Sequence, residues 1–140
     1  MTDHETDVLE WSAQQAELLR RHARGERLNE TPDWPNIIEE IEDVGGNGLR
    51  AVRSHLLQAM LHELKLRAWP ESRDAPHWAA EARGHRGDAA DDFAPSMRQH
   101  IDLPALYRRA LQRVPSASDG IPRLPLPDAC PWTLDDLLEP

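Results

Sequence analysis

At 140 residues the chain is long enough for one hydrophobic core, and it reads as a single domain over residues 1–140. Its formal net charge is −9, and no run of consecutive basic residues exceeds two, so a phosphate backbone is disfavoured and nucleic acid is not the expected partner. A single cysteine, Cys130, allows no internal disulfide, and no apolar run approaches a membrane span, so the expected compartment is a reducing cytoplasm.

The opening MTDHETD is acidic and lacks the apolar core of a signal peptide. Thr6 or Asp7 is placed to cap a first helix whose buried side is traced by Val8, Trp11, Gln15, Leu18, Leu19 and His22, with Gly25 as its stop. A polar link, Glu26 to Asp33, leads to the central stretch. There Asp33 and Pro35 mark a helix start, and Ile37, Ile38, Ile41 and Val44 recur at three- and four-residue spacing, as one apolar helical face does. Glu39, Glu40, Glu42 and Asp43 fill the positions between them.

Gly45-Gly46-Asn47-Gly48 interrupts this path. Each glycine costs roughly 1 kcal/mol against alanine inside a helix, so local propensity favours a tight helix–helix turn. The alternative is one long helix weakened in its middle, because the apolar phase carries on through Val52, Leu56, Ala59, Glu63 and Leu66, widened by Leu57, Met60, Leu61 and Leu64.

Pro70 to Pro76 reads as a loop, and His77 and Trp78 open a third helical region that runs to about Asp92 despite glycines at 84 and 87. A short turn over Met97 to Ile101 precedes a helix capped by Asp102, with Leu103, Leu106, Tyr107, Ala110, Leu111 and Val114 as its apolar stripe. Residues 115–132 are Pro-rich, without helical period, and should run extended as a strap anchored by Ile121, Leu124, Leu126 and Trp132. Thr133 then caps a short final helix holding Leu134, Leu137 and Leu138. The expected fold is therefore all-α: a bundle of four to five helices, an extended C-terminal strap and a short last helix. Five tryptophans against one Phe and one Tyr imply that indoles fill much of the core.

The run EEIEDVG, the segment LLQAMLHELK and the terminal CPWTLDDLL together resemble a domain-of-unknown-function family, number 29 in that series, over nearly the whole chain from Glu10. The resemblance implies a small prokaryotic helical protein and brings no established activity. The family's acidic run falls on Glu39, Glu40, Glu42 and Asp43, its helix histidine on His62, and its Cys-Pro-Trp on Cys130, Pro131 and Trp132. Members usually read through the glycine region as helix; this chain has GGNG there, and Leu66 where a Trp is usual.

Candidate sites are few. Glu81, His85, Asp88 and Asp92 share one helical face at metal-like spacing, against the bland reading of a solvated charged face. Glu42 and His62 are separated by roughly 30 Å along a continuous helix, and His55 and His62 by ~10 Å, too far to share one ion. Arg50 and His55 fit the loose R-x4-H spacing of HEPN-type helical ribonucleases, with Arg50 or Arg53 to hold phosphate and His55 as acid or base, a spacing that chance also produces. Cys130 reads as a small buried residue rather than a reactive thiol. No Gly-rich phosphate loop, CxxC pair, HExxH or nucleophile elbow is present.

The sequence thus points to a non-enzymatic protein that binds another protein, with no cofactor required, a homodimer left open, and Trp34, Trp69 and Trp78 as interface candidates beside connections. The rival is a helical-bundle hydrolase, either metal-dependent or using the Arg/His pair, with Arg50, His55 and His62 as its catalytic candidates. It would require histidines and acids to converge on one cleft.

Overall fold

The computed structural model describes residues 3–139; Met1 and Thr2, which open the acidic N-terminal stretch, and Pro140 lie outside the described residues. Contacts gather into two compact units, Met1–Gly46 and Asn47–Pro140, each described by itself.

The first unit holds α1 (Val8–Ala23) and the opening turns of α2 (Trp34–Ala68). Asp7 caps α1, its carboxylate accepting from the Glu10 N–H at 3.1 Å. At the other end Gly25, with φ of +79°, lets the chain reverse, and the Gly25 and Glu26 N–H groups donate to the His22 and Arg21 carbonyls. Trp11, Gln15 and Leu18 are the buried face. Gln15 tolerates burial because its amide oxygen accepts the Asp33 N–H at 2.7 Å, and the Trp11 indole N–H donates to the Asp33 carboxylate at 3.0 Å. Val8 and His22, expected on that face, are exposed: Val8 sits in the first turn, and the His22 ring lies edge-on to Trp34.

The glycine-rich stretch does not turn. Residues 34–68 form one 35-residue α-helix, about 52 Å long, correcting the preference for a break. Ladder hydrogen bonds through the stretch outweigh a propensity cost of about 3 kcal/mol. Along α2 the apolar face splits in its fate. Val52, Leu56, Leu57, Ala59, Met60, Leu61 and Leu64 are buried, whereas Ile38, Ile41 and Val44 are exposed and only Ile37 is covered.

The second unit is built on α2 from Asn47 onward, with α3 (Ala75–Asp92), a 3-10 turn (Pro95–His100), α4 (Leu103–Arg113) and α5 (Leu134–Leu138). Asp102 caps α4, accepting from the Ala105 N–H, and α4 buries Leu106, Tyr107 and Ala110, with Val114 just beyond its end. Thr133 and Asp136 form a reciprocal capping box at α5, which plants Leu137 in the core. Trp69 and Trp78 are buried with ring centroids 6.0 Å apart. The expected all-α class holds.

The strap contains a short hairpin. Ala117–Ser118 (β1) pairs antiparallel with Ile121–Pro122 (β2) across Asp119-Gly120, both at positive φ, the signature of a type I′ turn. Its attachment differs from expectation in part. Ile121 and Leu124 are exposed, whereas Leu126 and Trp132 pack against the core as anchors, and hydrogen bonds to the strap's backbone add to their hold. The Trp69 indole donates to the Ile121 carbonyl at 2.8 Å, the Leu124 N–H to the Ala68 carbonyl at 3.1 Å, and the Tyr107 hydroxyl to the Pro127 carbonyl. The Ile121 and Leu124 side chains line a cleft of about 430 Å³ with Trp69 and Pro70.

Candidate metal centre

Two helices of the second unit bring imidazoles together. On α2, His55 and His62 are seven residues apart, two turns along the same side. On α3, Glu81, His85 and Asp88 follow at offsets of four and three and share one face. Gly84 and Gly87 lie between them, and a β-carbon at either would meet nothing within 4 Å, so neither is required by packing. Trp78, Ala82 and Ala89 bury the adjoining side of α3 and fix its rotation.

His85 stands between the two α2 histidines. Its Nδ1 is 3.1 Å from His55 Nδ1, and its ring stacks on His62 at a centroid distance of 5.8 Å. Asp88 Oδ2 lies 4.0 Å from His55 Nδ1. Donor atoms of His55, His85 and Asp88 all fall within 4.8 Å of one another, the one such group of three among the described residues. Around a tetrahedral ion with bonds of about 2.0–2.1 Å, neighbouring donors stand about 3.3 Å apart, a value that 3.1 and 4.0 Å bracket.

The surroundings prepare these groups. Glu81 Oε2 lies 3.6 Å from His85 Nε2, a charge contact on the side of the ring that faces away from His55. His62 donates from Nδ1 to the Gln58 carbonyl at 2.7 Å, which fixes its ring against α2. Burial, reinforced by His55 and His62, holds the His85 pKa below the usual histidine value, with Glu81 and Asp88 opposing. This shift favours the neutral imidazole, the form that ligates metals. Asp88 sits at the rim, more than half exposed, and the two histidines below it are about a quarter exposed.

The sequence placed Glu81, His85, Asp88 and Asp92 on one face. The structure keeps His85 and Asp88 as donors, moves Glu81 outside them, leaves Asp92 exposed at the helix end, and adds His55 from α2. In the sequence His55 stands out only beside His62 and Arg50 on its own helix. No pattern within one helix reveals a partner thirty residues away.

The other candidates resolve differently. Arg50 donates to the Asn47 side chain and Arg53 to the His100 carbonyl, while His55 meets His85, so the R-x4-H spacing is not assembled as a pair. Glu40 Oε1 accepts from His4 Nε2 at 2.6 Å, and the acidic run supplies no member of the donor group. Cys130 is half-buried, its thiol donating to the Trp132 carbonyl at 3.3 Å, and burial raises its pKa, which disfavours the thiolate. Trp69 and Trp78 are buried and fill the core, the more expected of their two roles, so neither offers an interface; Trp34 is exposed. No described helix is long and apolar enough to cross a membrane.

The family described as "Domain of unknown function DUF29" matches residues 4–140. A crystal structure of an alpha-helical protein of unknown function from Rhodospirillum rubrum superposes with a TM-score of 0.67 at 28% identity, covering 99% of this chain and 90% of that one. No curated protein matches.

Proposed function

Because the chain belongs to the DUF29 family, which carries no assigned activity, we propose its function from its own residues: it binds a divalent transition-metal ion through His55, His85 and Asp88. The observation that carries this reading is the convergence of two imidazole nitrogens and a carboxylate oxygen within 4.8 Å, drawn from two helices. Nitrogen donors select zinc, iron, nickel or cobalt over magnesium or calcium. Three protein donors leave coordination positions for water, as in catalytic rather than closed structural sites. The hydrolase reading would use these same residues, without an arginine partner for His55. Zinc titration of the chelator-treated protein by calorimetry tests the proposal. The expected result is about one ion per chain, with binding weakened roughly a hundred-fold or more in His55→Ala and His85→Ala and unchanged in Asp92→Asn. Equal zinc affinity in wild type and His85→Ala would overturn it.

A second reading, that the protein binds another protein, is favoured by a separate observation. Among the described residues, Val8, Leu9, Trp34, Ile38, Ile41 and Val44 are all large, apolar and at least 41% exposed, and all belong to the first unit. Substituting aspartate at Ile41 and finding undiminished capture of every partner of the native protein would remove this support. Both readings suit a cytoplasmic protein.

A further inference from the structure

We propose that the exposed face of α2 in the Met1–Gly46 unit docks a positively charged amphipathic helix of another protein. This rests on the protein-binding reading and adds the chemistry of the partner.

Trp34, Ile38, Ile41 and Gly45 follow one another at spacings of four, three and four, the pattern of a helix–helix seam. Ile38 and Ile41 are 53% and 68% exposed, and Trp34, beside the His22 ring, keeps 41% of its surface open. At Gly45 a β-carbon would meet nothing within 4 Å, so a neighbouring backbone has room to approach closely. Val44, 75% exposed, borders the seam on one side and Glu42 on the other.

Charge decides what occupies it. Residues 34–46 carry Glu39, Glu40, Glu42 and Asp43 and no Lys or Arg. Residues 1–46 as a whole hold twelve carboxylates against four arginines, a balance of −8 out of the chain's −9. A second copy would set −8 against −8 across the contact. The seam runs only about 17 Å from Trp34 to Gly45, so apolar burial alone is small and electrostatic complementarity must contribute. A helix with its own apolar seam flanked by Lys or Arg satisfies both demands.

The test uses the full chain and two labelled synthetic helices of about three heptads, identical in their leucine seam, one flanked by Lys and one by Glu. Anisotropy should show the Lys-flanked helix binding at least roughly ten-fold tighter, with affinity falling as salt rises. Ile41→Asp, which alters an exposed side chain and should keep the wild-type circular dichroism, should abolish that binding. Glu39→Lys combined with Glu42→Lys should reduce the preference while leaving the seam intact. Equal binding of both helices would overturn the charge selection yet leave the docking reading standing, whereas binding of neither would remove both. Undiminished Lys-helix binding by Ile41→Asp would show non-specific attraction and overturn the proposal. A dimer in sedimentation, lost in Ile41→Asp, would assign the face to a second copy and likewise overturn it.

Discussion

Replacing Gly45 by alanine gives the sharpest test of the long α2 helix. Glycine is less favourable than alanine by about 1 kcal/mol in a helix interior, because its backbone loses more freedom on folding. Gly45 lies within the continuous span Trp34–Ala68, at no positive φ, and its added β-carbon would meet nothing within 4 Å. The substitution should therefore recover nearly the full propensity difference, with no packing cost to subtract. A gain of about 1 kcal/mol multiplies the folding equilibrium constant roughly five-fold. For 140 residues unfolding together, at about 2 cal/mol/K per residue, it raises Tm by about 3 °C. Thermal and urea melts followed at 222 nm would read it, with helical signal unchanged or higher. A loss of stability in Gly45→Ala would refute the reasoning, because it would mean that residue 45 adopts the left-handed conformation of a turn, where a β-carbon is strained.

Two further outcomes follow from the packing. Tyr107→Phe removes the hydroxyl that donates to the Pro127 carbonyl and should cost about 1 kcal/mol, seen as a lower urea midpoint; an unchanged midpoint would mean that the strap is not held there. The Asp33 carboxyl is held below the ordinary aspartate range by the Asn36 amide first and the Trp11 indole second. Its stabilisation is therefore present above the unfolded pKa and lost as pH falls through the lower folded pKa. In Trp11→Phe, NMR titration should place that pKa nearer the ordinary range, and the pH-dependent part of the stability difference from wild type should vanish in acid. An identical Asp33 titration in both proteins would contradict the assigned cause.

The helical class was legible because burial demands periodicity: Val52, Leu56, Met60 and Leu64 recur on one face whatever lies opposite, and Asp7, Asp102 and Thr133 cap by local chemistry. What failed to read through were features set by sums or by distance. Three glycines argued locally for a turn, but the ladder bonds of a helix already nucleated on both sides outweigh about 3 kcal/mol. Ile38, Ile41 and Val44 carry the same periodic signal as core residues, and sequence cannot distinguish a face covered by this chain from one left open. Asp119-Gly120 was a readable hairpin signal, obscured by the prolines around it. The histidine cluster was half legible. The α3 spacing offered His85 and Asp88, while His55 joins them only once α2 and α3 are packed.

That packing carries the central claim, and X-ray absorption on the cobalt-loaded protein tests it most directly. The account predicts one ion per chain, with two imidazole nitrogens and carboxylate or water oxygens at about 2.0–2.2 Å, and loss of an imidazole from the shell in His55→Ala and again in His85→Ala. An all-oxygen shell, the same in wild type and His85→Ala, would contradict it.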